Sequence, residues 1–265
     1  MSGYSISDVG SNQKTKKLNP VMKSNSINSI ASVLAIVGTA AFASTANAAT
    51  IYEESFETYS LGDSNGQGGW VDFGGTRLTN VVNTISSGGT QSLEFLTNPG
   101  YGSDTTLDLG SPITSGQLTL SYDIFQPTGY DGQAHVYLSR GATLTGNFDA
   151  GLDLVGNGTT GLFGAGGTDT PLLLDQWVSV VVNIDLDADT AVATYGGTEI
   201  FNGAWLNGGT SPQGFQGMNA WTTGGEALSS FNIDNMVLTS TIPEPSSLAL
   251  LGLGLAGSVI RRRRA

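Results

Sequence analysis

Apolar and polar residues alternate with a period of two in several segments of this chain, and this pattern limits the possible folds most. Gln117–Phe125 places Leu118 and Ile124, with two apolar residues between them, on one side of a strand. Trp177–Leu186 is rich in β-branched residues, and Phe231–Leu238 repeats the alternation. Successive side chains of a strand point to opposite faces, so the pattern predicts strands with one buried face.

Shorter segments of the same character fill most of the region between residues 49 and 240. Gly-Gly, Asn-Gly and Asp-Gly pairs separate them and favour the tight turns of antiparallel hairpins. No window of this region has the period of an amphipathic helix. The further predicted strands are Ile51–Glu57, Leu78–Ile85, Gln91–Leu96, Ala134–Ser139, Gly151–Val155 and Thr198–Phe201. The expected fold is all-β, an antiparallel two-sheet jelly-roll sandwich.

The acidic segment Asp185–Thr190 is predicted to be a hairpin turn capped by its own Asp and Thr side chains. An EF-hand calcium loop needs glycine at its sixth position and glutamate at its twelfth. This chain has Thr190 and Gly196 at those positions, so the EF-hand reading fails.

Charge is distributed unevenly along the chain, whose formal net charge is −12. All the lysines lie within residues 14–23, and four arginines occupy positions 261–264. Residues 49–242 contain only Arg77 and Arg140 against twenty Asp and Glu residues. Such a surface repels nucleic acid, which is therefore excluded as a partner. Because the chain has no cysteine, this region must be stabilised by its own core or by a metal ion.

The N-terminal region has the features of a secretory signal. An apolar run over residues 30–43 follows Lys23 and precedes Ala46 and Ala48, which form the small-x-small pattern of a cleavage site. We predict that residues 1–48 are a leader containing a signal helix, cut after Ala48. The natural start is either Met1 or Met22.

The C-terminal region contains three blocks in a fixed order: a rigid polar tripeptide, an apolar run over residues 246–260 and a basic cluster. The tripeptide is Pro243, Glu244 and Pro245, and the basic cluster is Arg261, Arg262, Arg263 and Arg264. As a helix, the apolar run would span about 22 Å, which is short of a hydrocarbon core of about 30 Å. It is therefore a marginal anchor. The arginines mark the cytoplasmic side and place the preceding domain outside the inner membrane.

This tail, residues 241–265, resembles the PEP-CTERM sorting signal of Gram-negative, exopolysaccharide-producing bacteria. The tripeptide, the run Leu248–Gly257 and the arginines stand in the order and spacing of that family. The resemblance implies a membrane enzyme, an exosortase, that cuts near the tripeptide. The protein would pass the inner membrane transiently and reach the cell surface or a biofilm matrix. An ordinary C-terminal anchor is the alternative.

The intervening domain, residues 49–240, resembles concanavalin A-like lectin and glucanase (laminin-G-like) jelly rolls. The resemblance rests on Phe56–Trp70, Gln176–Asp187 and Ile233–Leu238. It implies that the first and last strands are neighbours and that Trp70 and Trp177 lie in the core.

Three aromatic residues in loop-like sequence are candidates for binding a glycan. A sugar ring stacks on an exposed aromatic plate while its hydroxyls need polar partners. Trp221, Tyr130 and Trp205 each have amide or carboxylate neighbours in the sequence. Packing in the core is the alternative for each of them.

Calcium is the one cofactor that the sequence allows. Glu54 or Glu57 on the first strand could meet Asp234 on the last, and carboxylate oxygens are suitable calcium ligands. Ordinary solvent-facing strand residues are the alternative.

Catalytic patterns are incomplete. The Glu-x-Asp-x-x-Glu strand of laminarinase-type members is absent from the sequence. Gln133-Ala134-His135 resembles one strand of jelly-roll polysaccharide lyases, and Tyr137 would share its face, but residues 49–242 contain no lysine. The sequence thus predicts a non-catalytic structural or glycan-binding component of the extracellular polysaccharide layer. A polysaccharide lyase or glycoside hydrolase, and a structural matrix protein without a ligand, are the alternatives.

Overall fold

The computed structural model describes residues 48–73, 79–98, 101–139, 151–205, 214–225 and 229–241. Within these ranges there is no helix with the length and hydropathy needed to cross a membrane. The predicted signal helix and C-terminal apolar helix lie outside the described residues. So do most of the predicted processing residues, namely Ala46, Pro243, Glu244, Pro245, Arg261, Arg262, Arg263 and Arg264.

Seventeen strands make up the described part of the chain. In chain order they are β1 (Ala48–Glu54), β2 (Gly62–Asp63), β3 (Trp70–Asp72), β4 (Thr79–Val82), β5 (Ser92–Asn98), β6 (Tyr101–Gly102), β7 (Asp104–Ile113), β8 (Gln117–Phe125), β9 (Gly132–Ser139), β10 (Gly151–Asn157), β11 (Leu162–Gly164), β12 (Thr170–Pro171), β13 (Trp177–Asp185), β14 (Thr190–Tyr195), β15 (Thr198–Ala204), β16 (Phe215–Gly224) and β17 (Ser229–Thr241).

The larger sheet has ten strands and the order β15-β14-β13-β8-β17-β5-β4-β2. Strand β6 pairs with β5, and β1 pairs with the C-terminal part of β17, where Ala48 is the register partner of Thr241. The predicted contact between the first and last strands is therefore confirmed. It brings Ala48, the predicted leader boundary, beside the residue at which the C-terminal tail begins.

The smaller sheet has seven strands in the order β12-β11-β10-β9-β16-β7-β3. All its pairs are antiparallel, and the ladder between β16 and β7 shifts register between Phe215 and Gly217. The fold is the predicted antiparallel jelly-roll sandwich.

The core lies between the two sheets and is lined by the inward side chains of both. Leu120 and Val180 come from the larger sheet, and Val136 and Leu154 from the smaller sheet; all are buried. Each such side chain contributes about 1.5–3 kcal/mol when it leaves water. Trp70 is fully buried, as predicted.

Trp177 departs from the prediction, because it is only half-buried. It begins β13 with its ring 5.6 Å from that of Phe125, its register partner on β8. The residues after it, such as Val178, point into the core instead. The alternation of the strand thus places the indole on the outer face of the larger sheet.

Predicted strand boundaries are correct where the alternation is regular. Gln117–Phe125 coincides with β8, and the predicted hairpin joins β13 to β14, with Asp185 Oδ1 accepting hydrogen bonds from Asp187 N and Ala188 N. Strand β1 ends three residues before Glu57, the predicted end, because Phe56 adopts a positive φ of 60° and starts a turn. The longest strands that the sequence missed are β7 and β16.

Candidate functional site

The outer face of the smaller sheet carries two rows of register partners that cross its strands. The first row, here called the Asn219 row, contains Thr106, Asn219, Tyr137 and Asp153 on β7, β16, β9 and β10. The second, the Trp221 row, lies next to it. It contains Asp104, Trp221, His135, Val155 and Gly164 on β7, β16, β9, β10 and β11. Together the two rows are called the polar face.

The polar face is more deeply buried than an ordinary solvated sheet surface. In β9 from His135 onward and in β16 up to Ala220, the outward side chains are buried as well as the inward ones, so the alternation of exposure is lost there. Asn219 is 2% exposed and His135 is 9% exposed. Polar side chains are mostly exposed in proteins, so buried polar side chains on the outer face of a sheet are unusual.

Trp221 forms the aromatic centre of the polar face. Its ring stacks on that of His135 with centroids 4.5 Å apart and planes 6° apart, and Tyr137 lies 6.2 Å away. Trp221 itself is half-buried. The sequence placed it in a loop, which is wrong: it belongs to β16, whose pairing with β9 and β7 holds the indole in place.

Polar side chains contact both ring nitrogens of His135. Nδ1 lies 3.0 Å from Asp153 Oδ2, and Nε2 lies 3.1 Å from Thr223 Oγ1 and 3.3 Å from Gln133 Oε1. With the proton on Nδ1, the ring donates to the carboxylate of Asp153, while the Thr223 hydroxyl beside Nε2 donates to Gln133 Oε1 at 3.0 Å. The imidazole is thus fixed in orientation beneath the indole.

Two buried amide oxygens on this side of the sheet accept no hydrogen bond from any residue that the structure describes. They are Oδ1 of Asn219 and Oε1 of Gln216, and both side chains are 2% exposed. Gln216 Nε2 donates to Asp108 Oδ1 at 2.6 Å, so the Gln216 side chain is fixed against β7, outside the two rows. A buried acceptor without a donor costs about 1–3 kcal/mol, so such groups call for an explanation.

A cleft extends the Trp221 row over β10 and β11. Its lining includes Val155, Asn157, Leu162, Gly164 and Asp169. A side chain at Gly164 would overlap the carboxylate of Asp169, so glycine is needed for this close approach. The polar face therefore continues as an open depression toward the edge of the sheet.

The other two predicted glycan residues lie in the core instead. Tyr130 is 4% exposed and packs edge-on against Phe231, and burial raises the pKa of its hydroxyl far above the usual value. Trp205 is fully buried beside Phe215, with Nε1 donating to Gly214 O at 3.2 Å. Their polar sequence neighbours do not keep them exposed, because both rings fill gaps between the sheets.

The three predicted calcium ligands bind backbone groups of nearby turns. Glu57 accepts from Thr90 N and Gln91 N, both at 2.7 Å, and these bonds lower the pKa of its carboxyl. Glu54 accepts from Phe56 N at 2.6 Å.

Asp234 is fully buried and accepts from Ser87 N at 2.7 Å and Gly88 N at 3.1 Å, while burial raises the pKa of its carboxyl. Within the described ranges, no three acidic or histidine side chains form a group that could hold a metal ion. Calcium at Glu54, Glu57 and Asp234 stays a prediction.

Sequence reasoning missed Asn219, Thr106 and Asp153. A signal was available, because Asn219 and Trp221 are two residues apart, as are His135 and Tyr137. Such spacing puts both members of a pair on one face of a strand. The partnership of Asp153 with His135 depends on strand pairing between β9 and β10 and leaves no local trace.

Residues 241–264 match the family model of the PEP-CTERM protein-sorting motif. The chain carries a PEP-CTERM sorting motif. A PEP-CTERM protein is secreted and directed to the cell surface, and the motif implies processing by an exosortase in general. The resemblance of the tail to the PEP-CTERM signal is thus confirmed. The matched residues include Arg262 and Arg263 at the centre of the basic cluster.

Comparison with curated proteins gives no match. Among solved structures, a sialidase is similar with a TM-score of 0.53 and 10% identity over 72% of this chain, which corresponds to 18% of the sialidase chain. A mutant of the alginate lyase Aly36B with alginate tetrasaccharide gives a TM-score of 0.48 and 18% identity, over 72% of this chain and 96% of the lyase. The catalytic domain of a glycoside hydrolase family 131 protein from Coprinopsis cinerea gives 0.48 and 16%, over 75% and 99%. At these identities the likeness concerns the fold alone.

Proposed function

We propose that this PEP-CTERM protein binds polysaccharide through its polar face, without catalysis, as a component of the cell surface or extracellular matrix. The observation that carries the proposal is the half-buried Trp221, whose ring stacks on His135 at the centre of the polar face. An aromatic plate next to convergent polar groups is the arrangement that a sugar ring requires.

The location follows from the tail. After an exosortase has cut near Pro243–Pro245, the folded domain would leave the inner membrane, which it contacts only in transit. It would then reside at the surface or in the polysaccharide matrix, where a structural role and glycan binding are compatible. Its surface charge argues against nucleic acid as a partner, since the described residues include eighteen acidic side chains and no lysine or arginine.

The bonding of His135 favours binding over catalysis. A general base needs a ring nitrogen within reach of the substrate proton. Here Nδ1 is bonded to Asp153, Nε2 lies 3.1 Å from the Thr223 hydroxyl, and one ring face is covered by Trp221. We therefore infer that the imidazole supports the indole.

Affinity electrophoresis of the full chain in gels containing single polysaccharides tests this proposal. We expect retardation by at least one polysaccharide and at least a tenfold loss of affinity in Trp221→Ala, because the stacking plate is removed. Trp177→Ala is the matched control, since Trp177 is also half-buried but lies on the outer face of the larger sheet. Equal losses in both variants would contradict the proposal.

The second candidate function is a polysaccharide-cleaving enzyme, and the contact between His135 and Asp153 favours it. A carboxylate that orients an imidazole is a recurrent catalytic device. An enzyme would release reducing or unsaturated ends from a polysaccharide, and His135→Ala would abolish that release. A binder would release neither.

A further inference from the structure

We infer that an accessible row of side chains beside Trp221 is an extended sugar-binding strip, and that Asn157 is its specificity-determining residue. The row lies next to the Trp221 row, on the side away from the Asn219 row. It is here called the Thr223 row and contains Thr223, Gln133, Asn157, Leu162 and Pro171 on β16, β9, β10, β11 and β12. The inference rests on the proposed function and adds a second binding region to it.

The Thr223 row is accessible where the neighbouring rows are buried. Its end members are exposed, and its two amide side chains are partly exposed. In the neighbouring rows, by contrast, Asn219 is 2% exposed and His135 is 9% exposed. Trp221 and Thr223 are two residues apart on β16 and therefore share its outer face. A sugar chain stacked on the indole can thus continue along this row.

Asn157 presents a hydrogen-bond donor to this surface. Its Oδ1 accepts from Thr160 N at 3.1 Å, which leaves the amide nitrogen to donate to a ligand. Unlike the amide oxygen of Asn219, this nitrogen is not shielded from solvent. Asp169, which is exposed and lies over Gly164 in the cleft, supplies an acceptor. A sugar hydroxyl both donates and accepts, so it can satisfy both groups.

Aliphatic side chains complete the surface. Leu162 is the register partner of both Asn157 and Pro171 and is exposed, and Val155 is partly exposed. Leu162 and Val155 line the same cleft as Asn157 and Asp169. A sugar ring has C–H groups on its faces and hydroxyls around its rim. An apolar floor flanked by an amide and a carboxylate therefore offers both kinds of contact that the ring needs.

The length of the row predicts that it binds a polysaccharide chain and not a single sugar. The row crosses five strands, and four strand spacings of about 4.8 Å give about 19 Å, enough for several sugar rings in a line. Asn157 lies at the middle of the row, and Trp221 lies beside one end. A chain lying across the strands would contact both residues, whereas one sugar ring would contact only one of them.

Affinity gels with the full chain test this inference. The probes are xylan, laminarin, dextran, hydroxyethyl cellulose, alginate and polygalacturonate, and each probe that retards the unmodified chain is used for the variants. Asn157→Asp should weaken the affinity by about tenfold, because an acceptor replaces the amide donor. The change preserves volume and keeps an oxygen that accepts from Thr160 N, so the turn should persist.

Asn183→Asp is the matched control. Asn183 lies on the outer face of the larger sheet, where its Oδ1 also accepts a hydrogen bond, from Thr119 Oγ1 at 2.8 Å. The substitution adds the same charge at the same volume and should leave the affinity unchanged. Asp169→Ala is a second variant at an exposed position and should weaken binding several-fold, because the acceptor is lost.

Chain length gives a separate measurement. Oligosaccharides of the retarding polysaccharide should compete with the gel far better than its monosaccharide does, because only a chain spans the row. Thermal unfolding shows whether Asn157→Asp is folded, and Asp169→Ala decides the outcome if it is not.

The outcomes are distinct. Unchanged affinity of Asn157→Asp, or an equal loss in Asn183→Asp, would overturn the role of Asn157. Unchanged affinity of Asp169→Ala as well, or equal competition by the monosaccharide, would overturn the strip. If Trp221→Ala still loses affinity in those cases, the proposed glycan binding stays in place. Absence of retardation by every probe would overturn the proposed function and the inference with it.

Discussion

The outer faces of the two sheets differ in how their polar groups are satisfied. On the larger sheet, β8 and β13 alternate between buried and accessible residues, and the outward side chains bond one another. Thr119 Oγ1 donates to Asn183 Oδ1 at 2.8 Å, and Gln117 Nε2 donates to Asp185 Oδ2 at 2.9 Å. On the smaller sheet several outward side chains of β9 and β16, such as His135 and Asn219, are buried, and two amide oxygens lack donors among the described residues.

The two outer faces therefore differ in how far the described residues satisfy their polar groups. A solvated face completes its hydrogen bonds locally or with water, and stability alone accounts for it. A buried acceptor without a donor reduces stability, so the proposed glycan binding is tested on the smaller sheet. Three measurements bear on the comparison.

The largest expected effect lies on the core side of β9. Leu138→Ala should lower the free energy of unfolding by about 2–5 kcal/mol, because it removes a fully buried side chain and leaves a cavity. Denaturant unfolding measures the loss. Val181→Ala, on the outer face of β13, is the control and should cost less than about 1 kcal/mol. Similar costs at both sites would show that the outer face of the larger sheet is itself a core.

Asn219→Leu should change the free energy of unfolding by less than about 1 kcal/mol, although it replaces a buried residue. The substitution removes an acceptor that has no donor in the described part of the chain and nearly preserves volume, so the usual penalty for altering a buried polar residue is small. Thermal unfolding measures it. A loss above about 2 kcal/mol would mean that the amide supports the fold and would remove the contrast between the faces.

The smallest effect concerns pH and the turn near Glu57. Its hydrogen bonds to the turn lower its pKa from 4.5, so it contributes stability above pH 4.5 that is lost as pH falls through the lowered folded-state pKa. Glu57→Gln should therefore melt below the unmodified chain at pH 7, with a difference that narrows in acid. Glu53→Gln on β1 is the control. A difference that is independent of pH would contradict this account.

Parts of the fold could be predicted because local sequence was sufficient. Regular alternation located β8 to the residue, and the capped Asp185–Thr190 turn follows from side chains that bond their own backbone. Strand β16 could not be recognised, since Phe215–Gly224 has neither alternation nor a β-branched run, and both of its faces are buried as far as Ala220. The burial of Trp205 and Tyr130 also could not be predicted, because it depends on which gaps between the sheets their rings fill.

By itself the sequence determined the compartment and the fold class. The sorting motif is recognised from consecutive residues of the tail, and the strands are recognised from the alternation of apolar and polar residues. Neither requires knowledge of contacts between distant parts of the chain. Only the tertiary structure decided the composition of the polar face. Its members come from β7, β9, β10, β11 and β16, far apart in the chain, and strand register is what makes Asp153, His135, Trp221 and Asn219 neighbours.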